Sequence, residues 1–574
     1  MTTRAMAHLP GSVPRTAGAW ILGCLLLLSF GTVRAQEGER ADEVAQEGEH
    51  ALTGEENIAL ERKELPVLTV AVKDCVFLAL ANNPSIRAEA LGVDISGTGI
   101  PEALGDFDPL LSFSAERRKL ENDTENQLQS AGRGIDRFDL GISKKFLTGG
   151  TFSIAYLQAR TREFDTAFAN RFGASPSLYD SDLAFNLTQP LLRGAWVPFN
   201  TSSIEIARNN EEISQHQFRS MVEGIVFQVY QAYWQLVFRI ANEEVQRNAL
   251  ELARRQLRDT LARIDVGTLA RIEVHNSRAS VAARVTDVQV AAKQTLDGKD
   301  LLARLILPLP DLEAWNVDLR PIDRVPVLDG GESDGDRSDD ETFDERKARI
   351  LERFNIEEPG TNDWTVFARD ALDQRPDLIQ ARIDLENREL TVDRNKSLRL
   401  PRVDLSGSWT LNALDRNYSQ NLEDIRLSRF QNNRSWSLGV VVEYPLGNQT
   451  LDSRYRRSKL EERQARLRYD DLARAAIADV REAERSVETA WQTIFSTNEA
   501  GYRSRKQLEA GNAKFENGLN TSYDVLLLQN DLSTALANEA LAFTEYRVAL
   551  ARREFTIGRL VRYRDVGIDI NIRE

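Results

Sequence analysis

The chain has 574 residues, of which 42% are hydrophobic, 28% charged and only 7% aromatic, so a large aromatic-rich globular core is not expected. The formal net charge of -15 argues against a nucleic-acid surface, because phosphate binding needs clustered lysine and arginine. With two cysteines, the sequence predicts neither a disulfide framework nor a thiolate metal site.

The N-terminus has the pattern of a secretory signal peptide, which we predict to span residues 1–35. Positively charged residues precede an apolar run from Ala17 to Phe30, and residues 33–35 have the character of a cleavage site. A lipoprotein signal that is cleaved before Cys24 is the alternative. The following segment, 36–66, is acidic, and we expect it to be flexible.

The rest of the chain contains an internal repeat of two copies, which we place at residues 67–307 and 363–560. Each copy opens with a short helix and then a proline, Pro84 or Pro376, at the start of a new helix. Proline suits the first turn of a helix because the N–H that it lacks has no partner there.

Alternating apolar and polar residues predict β-strands in both copies. In the first copy we expect strands at about 109–117 and 182–190, with an extra hairpin between them at 136–160. In the second copy we expect strands at about 402–412 and 436–445. A period of two gives each strand one apolar and one polar face. The pattern fits either a half-buried sheet of a soluble protein or the wall of an outer-membrane barrel, and it leaves both open.

Long helices follow the strands in each copy. Helical hairpins are predicted at 203–307, with a tip near Gly267, and at 452–557, with a tip near Gly518. Each glycine is expected to end a helix in the left-handed conformation. The apolar residues of the first long helix recur about every 3.5 positions, the period of a coiled coil. In each copy two shorter helices placed end to end match one long helix of roughly 90–100 Å.

The copies are joined by a polar linker, 308–362. Its stretch 330–336 is rich in acidic residues and glycine, and is predicted to be disordered. Residues 561–574 form a C-terminal tail.

Taken together, these features resemble the TolC-like outer-membrane efflux protein family. The match runs from about Leu68 to Leu560. It is carried by the Asn-Pro and Arg-Pro helix starts, by the Gln-Pro-Leu and Tyr-Pro-Leu strand ends, and above all by the hairpin tips within 263–279 and 514–531.

The resemblance implies an α+β membrane protein with a two-fold internal repeat. In a homotrimer, each chain would give four strands to a twelve-stranded outer-membrane β-barrel, which would continue into a long periplasmic α-helical coiled-coil barrel. The linker, 308–362, and the chain ends would form an equatorial region. The implied function is a passive exit duct for efflux or type I secretion in the outer membrane of a Gram-negative bacterium. The implied partners are outer-membrane lipid, a periplasmic adaptor (membrane fusion) protein and an inner-membrane transporter.

The resemblance also assigns gate residues to the tips. Asp524 matches the position whose carboxylates ring the tunnel entrance, while the second ring position is Leu527. Glu273 is the equivalent acid of the first tip, where the family has a polar contact between hairpins. The partner positions of that contact are Asn520 and Phe515, in place of the family's arginine and tyrosine, so a lock must be chemically different. Helix capping and the helix dipole are the alternative explanations for both acids.

Arg263 and Lys514 each precede a tip glycine, Gly267 or Gly518, by four residues. They match basic tip positions that contact the adaptor in the family. The alternative is that each is a cation placed favourably near a helix C-terminus.

No catalytic or cofactor motif is found in the sequence. The four histidines are scattered, and there is no nucleophile elbow, phosphate loop or zinc motif. We therefore predict neither an enzyme nor a metal or cofactor site. A soluble periplasmic coiled-coil scaffold is the alternative function.

Overall fold

The computed structural model describes residues 66–121, 132–164, 177–308, 315–325, 343–354, 356, 358–359, 363–426 and 434–562. The predicted signal peptide, nearly all of the acidic segment 36–66, the stretch 330–336 and most of the tail lie outside these ranges. Among the helices inside them, none combines the length and hydropathy of a membrane-spanning helix.

Eight strands make two sheets in this part of the chain. In order they are β1 (Val67–Val70), β2 (Leu110–Glu121), β3 (Gly132–Lys145), β4 (Thr151–Phe164), β5 (Leu178–Pro190), β6 (Asp318–Pro321), β7 (Arg402–Asp415) and β8 (Arg434–Glu443). β1 pairs in parallel with β6. The other six form one antiparallel sheet in the order β2-β3-β4-β5-β7-β8.

The helices comprise two long hairpins and several shorter helices that pack on them or on the sheet. In chain order they are α1 (Val72–Asn82), α2 (Pro84–Gly97), α3 (Gly99–Gly105), α4 (Val197–Asp265), α5 (Glu273–Ile306), α6 (Phe343–Phe354), α7 (Trp364–Gln374), α8 (Pro376–Leu398), α9 (Tyr418–Arg426), α10 (Gln449–Glu516) and α11 (Ser522–Ile557).

The described sheet has six strands, namely the four strands expected for the barrel together with the two strands of the extra hairpin. The extra hairpin, β3 and β4, is inserted between β2 and β5 and pairs with both. Its strands are longer than the predicted 136–160. The apolar alternation fades at their outer ends, but backbone pairing there does not depend on hydrophobic side chains.

The turn between β3 and β4 covers residues 146–150 and needs one residue with positive φ. Gly149 has a φ of 80°, and its amide donates to the carbonyl of Phe146 at 2.8 Å. The amide of Phe146 donates in turn to the carbonyl of Gly150 at 2.7 Å. A Cβ at Gly149 would lie 2.2 Å from the carbonyl oxygen of Gly194, so only glycine fits this turn.

The two long helices, α4 with 69 residues and α10 with 68, are each about 100 Å long. α4 begins at Val197 rather than at the predicted residue 203. The proline at position 198 lies in its first turn, where the missing N–H has no intrahelical partner to lose. α4 forms a hairpin with α5, and α10 forms one with α11.

Shorter helices are stacked end to end along each long helix. α2 and α5 both pack on α4, while α8 and α11 both pack on α10. At one junction the side-chain amide of Asn82 donates to the carbonyl of Ile306 at 3.0 Å, which caps the end of α5. At the other, Gly558 at the end of α11 abuts Arg375 and Pro376 at the start of α8.

The core lies where α4 of the first repeat meets α11 of the second. Tyr230, Tyr233 and Tyr546 are fully buried there. Trp234 meets Phe543 edge to face, with ring centroids 5.7 Å apart. Aromatic residues are scarce overall, and the structure concentrates a large share of their packing at this junction between the repeats.

The linker between the repeats contributes α6 to this core. Phe354 stacks on Phe543 with ring centroids 5.1 Å apart. The guanidinium of Arg353 lies 3.5 Å from the buried carboxylate of Glu539, which also accepts from the side-chain amide of Asn498 at 2.8 Å. A buried carboxylate needs such partners, so α6 is fixed on the hairpin of the second repeat.

Candidate functional site

The six-stranded sheet has one apolar and one polar face. Residues that lie opposite each other on paired strands share a face. The apolar face consists of Leu111, Phe113, Phe138, Leu140, Ile142, Phe152, Ile154, Tyr156, Leu183, Phe185, Leu187, Leu405, Trp409, Leu411, Trp436, Leu438, Val440 and Val442. Much of it is open in the single chain, where Trp436 is 75% and Leu438 70% exposed. A face of this size needs an apolar environment.

The opposite, polar face is cross-linked by side-chain hydrogen bonds between neighbouring strands. The amide of Asn412 donates to Asp182 at 2.6 Å and accepts from the hydroxyl of Ser435 at 2.7 Å. On the same face, near the other edge of the sheet, the hydroxyl of Ser114 donates to Asp139 at 3.2 Å. A face of hydroxyl, amide and carboxylate groups suits contact with water rather than with lipid.

The two outermost strands of this sheet, β2 and β8, each pair with one neighbour among the described strands. Each therefore presents a row of backbone N–H and C=O groups along its outer edge. An open edge is not stable in an apolar environment, since every unsatisfied group there costs several kcal/mol. The sheet thus requires further strands at both ends.

At the far end of the helices, the two hairpin tips share one backbone design. Gly267 and Gly518 have φ values of 80° and 72°. The amide after each glycine donates to a carbonyl of the last helical turn, Thr268 to Arg263 and Leu519 to Lys514, both at 2.9 Å. This is the Schellman pattern, which ends a helix at a glycine. The positive φ expected at both glycines is present.

Arg263 of the first tip contacts Phe515 of the second. Its guanidinium donates to the backbone carbonyl of Phe515 at 3.0 Å and lies 4.5 Å from the centroid of the ring. Phe515 is buried. Arg263, predicted to contact the adaptor, and Phe515, predicted as a partner position of Glu273, are therefore brought together within one chain. They meet through a cation–π contact and a hydrogen bond that the sequence did not predict.

A second contact joins the tips through Glu273. Its carboxylate accepts a hydrogen bond from the hydroxyl of Ser522, which is fully buried. The sequence interpretation did not identify Ser522, although it follows directly after the capping residue Thr521. Its burial depends on how the two hairpins pack, and no local pattern reports that.

Asp524 closes a capping box at the start of α11. Its carboxylate accepts from the amide of Thr521 at 2.9 Å and from the Thr521 hydroxyl at 2.7 Å. These bonds hold the pKa of Asp524 below its usual value, so the exposed carboxylate stays charged. The capping role is thus present in the structure, and it leaves the charge facing solvent.

The other predicted tip residues lie close by without joining these contacts. Asn520 is half-buried, with its amide nitrogen 4.0 Å from the point that a Cβ on Gly511 would occupy. Lys514 and Leu527 are exposed. Within the described ranges, no group of three histidine, cysteine, aspartate or glutamate side chains could hold a metal ion.

The comparison with known proteins concerns both repeats. Residues 367–558 match the family model described as "Outer membrane efflux protein". The chain is 23% identical over 399 residues to the Outer membrane protein TolC of Vibrio cholerae serotype O1, an alignment that covers 68% of this chain and 80% of that protein. These matches confirm the resemblance and the outer-membrane localisation predicted from the sequence.

Solved structures share the fold at lower identity. The outer membrane protein VceC of Vibrio cholerae has a TM-score of 0.57 at 14% identity, with 85% of this chain and 96% of VceC covered. The CmeC outer membrane channel of Campylobacter jejuni has a TM-score of 0.56 at 15% identity, with 88% and 90% covered. At this identity the likeness is one of fold.

Proposed function

We propose that this chain, a TolC-like outer-membrane efflux protein by sequence and fold, is a passive exit duct for efflux or type I secretion. The observation that carries the proposal is the unbroken apolar face of the six-stranded sheet, backed by a polar face and bounded by two open edges. Lipid satisfies the apolar face, water in a lumen satisfies the polar face, and further strands satisfy the edges.

The open edges favour a homotrimer. One six-stranded sheet is too narrow to close on itself around a lumen, so copies of the chain supply the missing neighbours of β2 and β8. Three copies would also place three pairs of hairpins side by side. With helices about 100 Å long, those hairpins extend the duct far into the periplasm.

The duct would be passive, because the sequence carries no phosphate loop or other nucleotide-binding motif. Energy would come from an inner-membrane transporter that is reached through a periplasmic adaptor. The tips offer apolar side chains for such a contact, since Val266 and Leu519 are 79% and 76% exposed. Lys514, beside Gly518, and Arg263, beside Gly267, supply the basic groups.

The gate would lie at the same tips. Three copies of Asp524 would form a ring of charge at the entrance. Glu273 and Phe515 lie between the hairpins, where they make the two described contacts, and Asn520 lies in the second tip near Gly511. Opening would separate the hairpins and break both contacts.

The proposal is tested by membrane fractionation followed by reconstitution. The protein should stay in the outer-membrane fraction after a carbonate wash, run as a trimer that heat dissociates, and conduct ions in planar bilayers. A soluble periplasmic scaffold, the rival function, would be released by the wash. A protein that stays in the membrane as a trimer without any conductance would contradict the duct.

A further inference from the structure

We propose that β3 and β4 are part of the barrel wall, so that three chains build a barrel of eighteen strands rather than twelve. The inference rests on the proposed homotrimeric duct and deepens it, because the number of strands sets the width of the lumen. Three copies of the six-stranded sheet give eighteen strands when all six take part.

The pairing of the inserted strands is the first support. β3 is paired with β2 from Gly132 to Ser143 and with β4 along its whole length. β4 is paired with β5 from Thr151 to Thr161. The hairpin is therefore the only connection between β2 and β5 in the described sheet. Folding it away as an outer loop would break both ladders that join it to the sheet and would require β2 and β5 to pair with each other instead.

The side chains of the insert supply the second support. Leu140 of β3 lies opposite Phe113 of β2 and Tyr156 of β4, and Ile154 of β4 lies opposite Phe185 of β5. All five belong to the apolar face. The insert thus continues that face without a change of register, as a strand in contact with lipid must.

A polar row marks the outer limit of the apolar face and crosses the insert. It consists of Arg117, Asp136, Arg160, Tyr179 and Asp415 on five successive strands. The guanidinium of Arg117 pairs with Asp136 at 3.2 Å, and that of Arg160 lies 5.5 Å from the ring of Tyr179. The row passes from β2 to β7 without a step, so the inserted strands sit at the same height as their neighbours.

The inner end of the insert is fixed to the junction between sheet and helices. The hydroxyl of Thr148 donates to the side-chain oxygen of Gln189 at 3.1 Å, and the Gln189 amide donates to the carbonyl of Thr148 at 3.0 Å. Gly149 packs against Gly194, just before α4. The short turn thus lies on the helix side, as the short turns of outer-membrane barrels lie on the periplasmic side.

The consequence is a wider lumen. With strands about 4.8 Å apart and tilted by about 40°, twelve strands enclose a barrel about 24 Å across, measured between backbones. Eighteen strands at the same tilt enclose about 36 Å. Measured between backbones, the barrel would be about 1.5 times as wide as a twelve-stranded barrel of the same tilt.

Spin labels on single cysteines, placed on a Cys75→Ala background, test whether the insert is in the wall. In the trimer reconstituted in lipid vesicles, labels at Leu140→Cys and Ile154→Cys should be reached by oxygen dissolved in the lipid. Labels at Asp139→Cys and Ser153→Cys should be reached by a water-soluble nickel complex. The matched control is the Trp409→Cys and Ser408→Cys pair on β7, where Trp409 is 45% exposed on the apolar face.

The two possible failures are distinguishable. If β7 alternates between lipid and water while β3 and β4 do not, the insert is outside the wall and the inference is wrong. If β7 does not contact lipid either, the proposed function itself fails.

A second measurement covers the case in which a label disturbs folding. Electron cryo-microscopy of the trimer in nanodiscs should show a barrel about 1.5 times as wide as that of a variant lacking residues 132–164. That deletion removes two whole strands, keeps the up-and-down order, and places β2 beside β5 with their apolar faces aligned. If the deletion variant does not fold, the width of the wild-type barrel alone decides, because a wall of twelve strands would overturn the inference.

Discussion

The guanidinium of Arg263 bridges the two hairpin tips of one chain, because it both donates to the carbonyl of Phe515 and lies over its ring. A charge-assisted hydrogen bond and a cation–π contact together are worth about 2 kcal/mol. The Arg263→Ala variant should therefore shift the balance between closed and open tips by about thirty-fold toward the open state. Single-channel recording should show a higher open probability.

Lys514 offers the matched control for that change. It has the position in the second tip that Arg263 has in the first, but it is exposed. Lys514→Ala should leave the open probability of the channel at the wild-type level. Equal effects of the two substitutions would show that net charge at the tips, and not the contact with Phe515, controls opening.

Glu273 and Ser522 should be energetically coupled. The hydroxyl of Ser522 donates to the carboxylate of Glu273 where Ser522 is fully buried. A double-mutant cycle of Glu273→Gln and Ser522→Ala, read as the opening free energy from single-channel records, should give a coupling of about 1 kcal/mol. Additive effects would mean that the two residues do not act on each other in the functional trimer.

Asp524 should control block by multivalent cations. The bonds from Thr521 lower the pKa of Asp524, so its carboxylate is ionised at neutral pH and loses charge only when the pH falls below that lowered pKa. Asp524→Asn keeps an acceptor for the cap but removes the charge. It should raise the half-blocking concentration of hexamminecobalt at pH 7 about ten-fold or more.

Thr521→Ala removes the capping hydroxyl but keeps the charged carboxylate of Asp524. It removes the hydroxyl bond that helps to lower the pKa, but the carboxylate remains ionised at pH 7. Block at pH 7 should therefore persist in this variant, while its loss on acidification should begin at a higher pH than in the wild type. Unchanged block in Asp524→Asn would rule out the ring of charge.

The tip glycines should resist substitution. Gly267→Ala forces a side chain into a φ of 80° and should cost about 1 kcal/mol locally, although no atom lies near the new Cβ. Hydrogen exchange at the tip amides should accelerate about five-fold. Gly224→Ala, inside α4 with equally open space, is the control and should stabilise the helix slightly.

Cys75 should be inert in the folded protein. It is fully buried in the core, and burial raises the pKa of its thiol to about 12. A group whose pKa is raised in this way stays protonated at pH 8, where an exposed thiol is partly ionised and reactive. A thiol reagent should therefore modify Cys75 only after unfolding in denaturant. Rapid modification of the native trimer would show that this part of the core opens.

Local patterns in the sequence were enough for the helix ends and the tips. Gly267 and Gly518 ended helices because the left-handed conformation is a property of the residue itself. The Thr521–Asp524 box likewise lies within one turn. The helix α4 begins six residues before the predicted residue 203, because the proline at 198 fits inside a first turn.

Contacts between distant parts of the chain could not be predicted in the same way. β5 pairs with β7 through Leu187 and Gly407, and the order of strands follows from such long-range partners. The period of two along β3 and β4 was visible, but it is the same for a strand in the wall and for one beside it. The contact of Glu273 with Ser522 likewise depends on how two hairpins pack, which neither tip encodes alone.

The side-by-side packing of the helices has a geometric consequence for the sheet. α4 packs against α5 and α11 toward the tips and against α2 and α8 toward the sheet, and α10 completes each row of four. Spaced about 9 Å apart, the rows of three chains cover a perimeter of about 110 Å. Eighteen tilted strands cover about the same length, whereas twelve cover about 75 Å. In the proposed trimer, the inserted hairpin would let the barrel continue from the helices without narrowing. Because neighbouring strands alternate in direction, each chain could adjust that perimeter only by whole hairpins.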